Sequence, residues 1–357
     1  PEGVGYSQMT RKGRLRGSTA QTFLKQARKR LNLRVETNAT VSKLIFEDKK
    51  CVGVKFFKHG KEKFIKAAKE VILSGGAVNS PHILQVSGIG PSDHLMNIGI
   101  NVVHHLPGVG ANLQDHYVAR VSHRVRHAKS INSLSRGTNL LKEIATWAFS
   151  GKGALTFGVT SAMVFSRSRE GLSSPDLQLL FTPASYSERT LGKLEQEDGM
   201  TVAVCPVRPA SRGTIMAVSS DPFVRPEIRP NYLSDPDDVR VLLAGIHQTR
   251  EIFSQPALQR YSSKETAPGI QIQTSEELEN FARNNGSIIY HPVSTCRMGD
   301  DEMAVVDPRL RVRGIKGLRV VDASIMPTVT TGNTNAPTIM IAEKASDMIL
   351  EDARHAA

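Results

Sequence analysis

The chain of 357 residues has few cysteines and no long apolar run. Its three cysteines, Cys51, Cys205 and Cys296, form no CxxC pair, which argues against a disulfide framework, a redox dithiol and a thiolate metal site. No segment approaches the roughly 20 apolar residues that span a bilayer, so no transmembrane segment is predicted. The HExxH, Walker and Gly-x-Ser-x-Gly motifs are also absent, which removes the simplest indications of a zinc peptidase, a P-loop enzyme or a serine hydrolase.

Acidic residues are missing from one basic stretch. The net charge is +12, and between Arg11 and Arg30 the chain has eight Lys or Arg and no Asp or Glu. Such a patch can attract nucleic acid or an anionic membrane surface. No nucleic-acid motif accompanies it, so no nucleic-acid partner is predicted. We favour a helix with a solvated charged face and an apolar face made of Phe23, Leu24, Ala27 and Leu31.

The apolar pattern at both ends of the chain predicts an α/β lobe. Within residues 1–116, a buried strand at 70–73 is followed by a glycine turn and a helix that begins at 79–81, as in a doubly wound α/β layer. Residues 286–357 return to this pattern with a strand at 318–322 and a helix at 336–350.

The middle of the chain, residues 117–285, predicts a second lobe inserted into the first. Strands near 177–181 and 201–205 alternate with helices at 139–149 and 236–253. Few turn glycines follow these strands, which favours an antiparallel sheet with helices packed on it. The predicted fold class is therefore an α/β lobe with an inserted α+β lobe.

His291 is the first candidate for chemistry, in the stretch Tyr290-His-Pro-Val-Ser-Thr-Cys-Arg-Met-Gly299. An unperturbed imidazole titrates near ~6.5 and can accept a proton at neutral pH. The alternative is a histidine that only satisfies buried backbone groups, because spacing along the chain does not identify a base.

Two further positions suit either a cofactor or ordinary local structure. Asn333 and Asn335 precede a helix with Pro337 just inside it, which is typical of helix caps. The same helix N-terminus would stabilise negative charge on the pyrimidine edge of a reduced flavin. Asp322 is followed by the small residue Ala323, so its carboxylate could bind a hydroxylated cofactor chain or its own turn.

Five blocks follow one another along the chain, at residues 76–90, 106–116, 208–213 with 231–236, 290–299, and 320–337. In this order they closely resemble the glucose–methanol–choline (GMC) family of FAD-dependent oxidoreductases. Within the family, the animal glucose dehydrogenase-like branch is the most similar. The resemblance covers nearly the whole chain, and five independent blocks make chance similarity improbable.

The resemblance implies FAD as cofactor and a small alcohol or sugar as the CH–OH donor. His291 takes the position of the catalytic histidine, and Asn333 that of the second histidine or asparagine near the reactive flavin nitrogen. His291 would take the hydroxyl proton while a hydride passes to flavin N5, and Asn333 would hold the alkoxide oxygen. The implied FAD contacts are Val41, Asp322, Ala323, Asn335 and Ala336. The electron acceptor, a quinone-type compound or O2, stays open.

One departure from the family concerns the FAD pyrophosphate. Family members begin with a strand, a complete GxGxxG and a helix, whereas this chain has only a partial GxG at residues 108–110. We therefore expect an incomplete FAD-binding lobe, from a fragment of a longer protein, that binds FAD poorly by itself. A signal peptide upstream would indicate export. Hydroxynitrile lyase chemistry on the same fold and a catalytically silent relative stay open as alternatives.

Overall fold

The computed structural model describes residues 2–187 and 192–355. The chain divides into two compact units, each assembled from three separate stretches. Unit 1 contains Pro1–Val35, Tyr117–Val207 and Pro236–Ser287, and unit 2 contains Glu36–His116, Arg208–Asp235 and Ile288–Ala357.

This division differs in two places from the three parts expected from the sequence. The first 35 residues belong to unit 1, because strand Gly3–Tyr6 pairs antiparallel with strand Ala162–Ser166. Residues 208–235 belong to unit 2, because Leu113 and Gly213 exchange two backbone hydrogen bonds of 2.9 Å. The binding roles of the two lobes stay predictions.

Unit 1 is built on an antiparallel sheet. Its strands lie in the order Gly3–Tyr6, Ala162–Ser166, Leu177–Thr182, Gly199–Pro206, Tyr117–Val125 and Ser262–Ala267. A separate hairpin joins the short strands Arg11–Lys12 and Leu15–Arg16. The helical segments are Ala20–Leu24 (a π turn), Lys25–Ala27, Ile131–Leu134, Gly137–Ser150, Ala154–Thr156 (a 3-10 turn), Pro236–Ser254, Pro256–Gln259 and Ser275–Asn285.

Helix Pro236–Ser254 covers the sheet of unit 1 with one apolar face. Its buried residues recur at helical spacing and include Leu242 and Ile246. Gly245 lies against the sheet so closely that a Cβ there would be 2.4 Å from Val204 Cγ1. A larger side chain would therefore push this helix off the sheet.

The helix predicted near the N-terminus is wrong in extent and in orientation. Only the π turn Ala20–Leu24 and the short helix Lys25–Ala27 form. Phe23 is 50% exposed and Leu31 is fully exposed, so the predicted apolar face is not buried. The physical reason is repulsion between like charges at helical spacing, such as Lys25 and Lys29, which disfavours a longer helix.

Unit 2 combines helices with several short sheets, and among its described strands parallel pairing is limited to two short pairs. Strand Val71–Leu73 pairs in parallel with Leu318–Val320, and Ala39–Glu47, Lys50–Lys58 and Lys61–Lys66 form an antiparallel sheet. Two further pairs are Ile89–Gly90 with His104–His105 and Thr214–Met216 with Glu227–Arg229. The helices are Gly76–Val86, Ser92–Asn97 and Asn335–His355, with a 3-10 turn at Ala323–Ile325; the short strand Ser287–Ile288 precedes the last stretch.

Helix Gly76–Val86 begins earlier than predicted and contains Pro81 in its interior. Proline has no N–H, so it leaves the carbonyl four residues earlier without its helical partner. That carbonyl, of Ala77, accepts a hydrogen bond of 2.6 Å from Thr295 Oγ1. The proline therefore creates an attachment point for the segment that carries His291.

The buried core of unit 2 contains residues from both of its ends, among them Leu84, Ile89, Val293, Leu318 and Val320. Over residues 2–187 and 192–355, no helix has the length and apolar character needed to cross a bilayer. The same residues contain no cluster of His, Cys, Asp or Glu able to hold a metal ion.

Candidate functional site

His291 lies in unit 2 on a short irregular segment. Tyr290 and Ser294 have positive φ angles of 61° and 75°, so the backbone turns on both sides of the histidine. The N–H of Cys296 donates to the carbonyl of Ser324 at 2.9 Å and attaches the segment to the turn Ala323–Ile325. These constraints hold an imidazole that is only 7% exposed.

The carboxylate of Asp115 fixes the backbone of two histidines. Its Oδ1 accepts hydrogen bonds from the N–H groups of His116 and His291, both at 2.8 Å. Its Oδ2 accepts a hydrogen bond of 3.1 Å from the hydroxyl of Tyr232. Burial raises the pKa of Asp115, and the three hydrogen bonds oppose that shift. Because protein donors occupy the carboxylate, it positions the histidines.

The imidazole rings of His116 and His291 meet edge to face. Their Nδ1 atoms are 2.9 Å apart and their planes make an angle of 81°. One of these two nitrogens must carry the proton that joins them. When that proton is on His291, its Nε2 has a free lone pair, which is the form needed to accept a proton from a substrate.

Asn333 lies on the opposite side of the His291 ring. Its Nδ2 is 3.3 Å from Nε2 of His291. An amide N–H that donates to Nε2 requires the same His291 tautomer as the His116 contact just described. Asn333 is exposed, whereas His116 is completely buried. The structure therefore brings the two predicted catalytic residues together and leaves the Nε2 side the more accessible one.

Burial controls the protonation of His291. Desolvation lowers the pKa of this ring to about 4, so the imidazole is neutral at pH 7 and able to accept a proton. A low pKa also makes a weaker base. The hydrogen bond to His116 opposes this weakness, because an acceptor at Nδ1 stabilises the ring once it is protonated.

Asp322 organises the turn where the predicted FAD residues meet. Its Oδ2 accepts hydrogen bonds from the N–H of Gly76 at 2.9 Å and the hydroxyl of Ser80 at 2.6 Å. Its Oδ1 accepts one from the N–H of Ser324 at 2.8 Å. The turn function, one of the two alternatives for this residue, is thus present. A carboxylate has about four lone-pair sites, so a cofactor hydroxyl can still be accommodated.

Backbone donors near this turn suit a flavin nucleotide. Among the residues that the structure describes, the N–H groups of Ala323, Asn335 and Ala336 have no protein acceptor. Asn335 and Ala336 are exposed and open the 21-residue helix Asn335–His355, whose N-terminus is partly positive. Phosphate oxygens and an electron-rich pyrimidine edge are natural partners of such donors. The residues present therefore fit FAD.

Val41 lies on strand Ala39–Glu47, at the edge of a three-stranded sheet. This strand packs against helix Gly76–Val86. Its pairing with the next strand is interrupted between Val41 and Lys43. An edge strand with a bulge leaves backbone groups for a ligand contact. We call His291, Asn333, His116, Asp115 and Tyr232 the His291 cluster. In the described parts of the chain, no hydrogen bond joins Val41 to this cluster.

Three residues of the cluster, Asp115, His116 and Tyr232, were not predicted as site residues. Asp115 and His116 end the block at 106–116, and Tyr232 lies in the block at 231–236. These residues were therefore part of the blocks that resemble the GMC family, but the sequence analysis gave them no role. Asp115 precedes His291 by 176 residues, and only the folded backbone shows that the two meet.

Two GMC oxidoreductase family models match the chain, one over residues 1–118 and the other over residues 209–342. The chain belongs to the GMC oxidoreductase family. The resemblance seen in the five blocks is thereby confirmed. GMC oxidoreductases are FAD-binding flavoproteins, so FAD is the cofactor of this family.

Similar proteins include two dehydrogenases. An oxygen-dependent choline dehydrogenase of Pectobacterium carotovorum is 44% identical over 341 residues, which are 96% of this chain and 61% of that protein. An alcohol dehydrogenase (acceptor) of Pseudomonas putida is 41% identical over 355 residues, which are 98% of this chain and 64% of that protein. The chain therefore spans about three fifths of the length of these GMC relatives.

A formate oxidase of Aspergillus oryzae has the same fold, with a TM-score of 0.92 and 24% identity over 99% of this chain and 66% of the oxidase chain. The GMC fold, with FAD-binding and substrate-binding domains, is thus the fold of this chain. The animal glucose dehydrogenase-like branch stays a prediction.

Proposed function

We propose that this protein is an FAD-dependent oxidoreductase that acts on CH–OH donors, with His291 as the base. The main support is the position of His291, with Nε2 3.3 Å from Asn333 Nδ2 and Nδ1 2.9 Å from His116 Nδ1. Among the described residues no ion pair involves the His291 ring, so this buried imidazole can take a proton without first breaking one. This is the property required of a general base.

Five residues would hold the cofactor in this proposal. When bound, FAD supplies the acceptor for the substrate hydride, at N5. The N–H groups of Asn335 and Ala336 would face its electron-rich pyrimidine edge, and Asp322 and Ala323 its phosphate and ribitol side. Val41 would offer a backbone group to the adenine.

The proton step falls to His291 and Asn333. Nε2 of His291 removes the hydroxyl proton of the alcohol, which leaves an alkoxide. An alkoxide is a far better hydride donor than a neutral alcohol. The amide of Asn333, adjacent to Nε2, is placed to donate a hydrogen bond to the alkoxide oxygen. Base and donor thus act on one oxygen atom.

His116 and Asp115 are positioning residues in this proposal. His116 accepts the Nδ1–H of His291, which keeps the lone pair on Nε2 and shares the charge of the protonated ring. Asp115 holds the backbone N–H of both histidines, so the Nδ1–Nδ1 distance depends on one carboxylate.

The substrate class we propose is a small alcohol or sugar. The relatives are named for choline and for alcohols, and choline itself is a primary alcohol. The chemistry of the His291 cluster requires only a hydroxyl on a carbon that carries a hydrogen.

Because this chain by itself is expected to bind FAD poorly, the test uses the longer protein loaded with FAD, mixed with a panel of primary alcohols, choline and aldoses in the absence of oxygen. We expect at least one compound to bleach the flavin absorbance, and a His291→Gln variant with the same FAD content to do so far more slowly. Parental bleaching by this variant would remove His291 from the mechanism.

Two other results would replace the proposed function. Cleavage of a cyanohydrin without flavin bleaching would indicate a hydroxynitrile lyase. A flavin that no compound of the panel reduces would indicate a silent relative. After bleaching, separate addition of O2 and of a soluble quinone would show which acceptor restores the flavin absorbance.

A further inference from the structure

We propose that Tyr232 is a positioning residue for His291 and acts on it through the carboxylate of Asp115. The phenol hydroxyl of Tyr232 donates a hydrogen bond of 3.1 Å to Asp115 Oδ2, and Asp115 is only 4% exposed. All three residues belong to unit 2, and each comes from a different stretch of the chain. This role rests on the proposed function, in which His291 is the base.

The two oxygens of the Asp115 carboxylate have different partners. Oδ1 accepts the backbone N–H groups of His116 and His291, whereas Oδ2 accepts the phenol hydroxyl. A carboxylate is planar, so a rotation that moves Oδ2 away from its donor also moves Oδ1. Burial raises the pKa of Asp115, and the bond from Tyr232 is one of those that oppose the rise. Tyr232 therefore stabilises both the orientation and the charge of the group that holds His291.

The backbone on both sides of Tyr232 has an unfavourable conformation. Asn231 and Leu233 have positive φ angles of 60° and 55°. Asparagine tolerates this left-handed region, but a bulky residue such as leucine seldom occupies it. Leu233 is 5% exposed, so its burial helps to enforce the turn. Strain of this kind is concentrated at functional sites, and here the residue between the two strained positions is the one that reaches Asp115.

Further contacts hold this turn near the stretch that carries Asp115. Asn231 Nδ2 donates to the carbonyl of Arg212 at 3.2 Å. Gly213, the next residue, exchanges two backbone hydrogen bonds of 2.9 Å with Leu113. Leu113 precedes Asp115 by two residues in the sequence. The turn and the carboxylate are therefore joined by the backbone as well as by the phenol.

A phenol that only satisfied a buried carboxylate would contribute to folding and leave the turnover of the folded enzyme unchanged. The carboxylate of Asp115 is also the acceptor of the His291 N–H, at 2.8 Å. Loss of the phenol should therefore loosen the His291 backbone in a protein that is still folded. Turnover and the exchange of this N–H with solvent deuterium both report that change.

The first test compares Tyr232→Phe with the parental form of the longer protein loaded with FAD. Asp115 then keeps only its two backbone donors, so we expect kcat for alcohol oxidation to fall about tenfold and KM to change less than about threefold. Deuterium exchange of the His291 N–H should become roughly tenfold faster. The control Tyr117→Phe removes a phenol that donates to the carbonyl of Ala282 at 2.8 Å in unit 1, and both values should stay within about twofold.

The second test changes the turn and leaves Tyr232 itself intact. Asn231→Gly and Asn231→Val both remove the amide that bonds to Arg212, but only glycine accepts a positive φ at no steric cost. We expect Asn231→Val to reproduce the losses of Tyr232→Phe and Asn231→Gly to lose far less. Equal losses in the two variants would overturn the contribution of the turn.

A parental kcat in Tyr232→Phe would overturn the proposal, and so would parental exchange of the His291 N–H. A change confined to KM, or losses of the same size in Tyr117→Phe, would overturn it as well. The exchange measurement needs no substrate. If no alcohol bleaches the flavin while the His291 N–H exchanges faster in Tyr232→Phe, the positioning contact is supported and the proposed function fails separately.

Discussion

Two of the histidines with a lowered pKa, His123 in unit 1 and His291 in unit 2, have different surroundings. In unit 1, His123 stacks on Phe253 with ring centroids 4.2 Å apart, and its Nδ1 lies 2.7 Å from Ser262 Oγ. Its Nε2 is 3.7 Å from Glu265, whose carboxylate already pairs with Arg250 at 2.7 Å. In unit 2, His291 lies between the side chains of His116 and Asn333.

The two histidines differ in the groups that surround their ring nitrogens. Burial lowers the pKa of both rings, so burial and pKa direction do not distinguish them. His123 is enclosed by an aromatic ring and an ion pair that is complete without it. His291 has a proton-sharing partner on one nitrogen and an exposed amide beside the other. This contrast supports the proposal that His291 is the base and that His123 has a structural role.

The largest expected effect comes from His291 itself. His291→Gln should lower kcat for alcohol oxidation by about a thousandfold, because general base catalysis contributes on the order of 10²–10⁴. Steady-state kinetics at matched FAD content measure this. A loss smaller than tenfold would mean that His291, like His123, has only a structural role.

A second substitution tests whether the carboxylate of Asp115 holds His291 in position. Asp115→Ala removes the acceptor of both backbone N–H groups, so we expect kcat to fall about 100-fold with a smaller change in KM. The far-ultraviolet circular dichroism spectrum should be unchanged. A change in KM alone would mean that Asp115 contributes to substrate binding instead.

Stability should depend on pH through His291. Its folded pKa of about 4 lies below the ordinary value of 6.5, so the unfolded chain binds more protons between these values. The folded state therefore loses stability as pH falls, by about 2 kcal/mol between pH 7 and pH 5. Denaturant unfolding of the protein and of His291→Gln at both pH values measures this. An equal loss in the variant would assign the pH dependence to other groups.

His116 should have a smaller effect of a distinctive kind. His116→Phe removes the acceptor of the His291 Nδ1–H, so we expect kcat/KM to fall about tenfold. The acid limb of the pH–rate profile should also move to lower pH, because the protonated His291 ring loses the acceptor that stabilises it and the pKa of the ring falls. His116→Gln retains an acceptor oxygen and should recover part of the activity. A parallel loss with an unchanged pH profile would indicate only a packing defect.

The smallest effect is expected in unit 1. His123→Gln removes the ring that stacks on Phe253 and should lower the free energy of unfolding by about 1–2 kcal/mol. The kcat of the folded enzyme should stay within about twofold of the parental value. A kcat as low as that of His291→Gln would erase the contrast between the two histidines.

Local patterns predicted elements well and predicted the site only in part. The closing helix, expected at 336–350, spans Asn335–His355 because its apolar spacing and proline start are local signals. The contact between His291 and Asn333 was expected only because both residues match positions of the GMC family that lie near the flavin. Asp115 and Tyr232 were missed because their contacts join distant stretches.

Unit 2 is discontinuous along the chain, and this has a consequence for its synthesis. A ribosome releases residues 36–116 first, 208–235 later and 288–357 last. Asp115 is therefore translated long before the N–H of His291 that it must hold, and Asn333 follows later still. The nascent polypeptide can shape the sheet of unit 1 while translation continues, but the His291 cluster can be completed only after Asn333 has been translated. An alcohol could accordingly meet His291 and Asn333 together only in a chain that has already been made past residue 333.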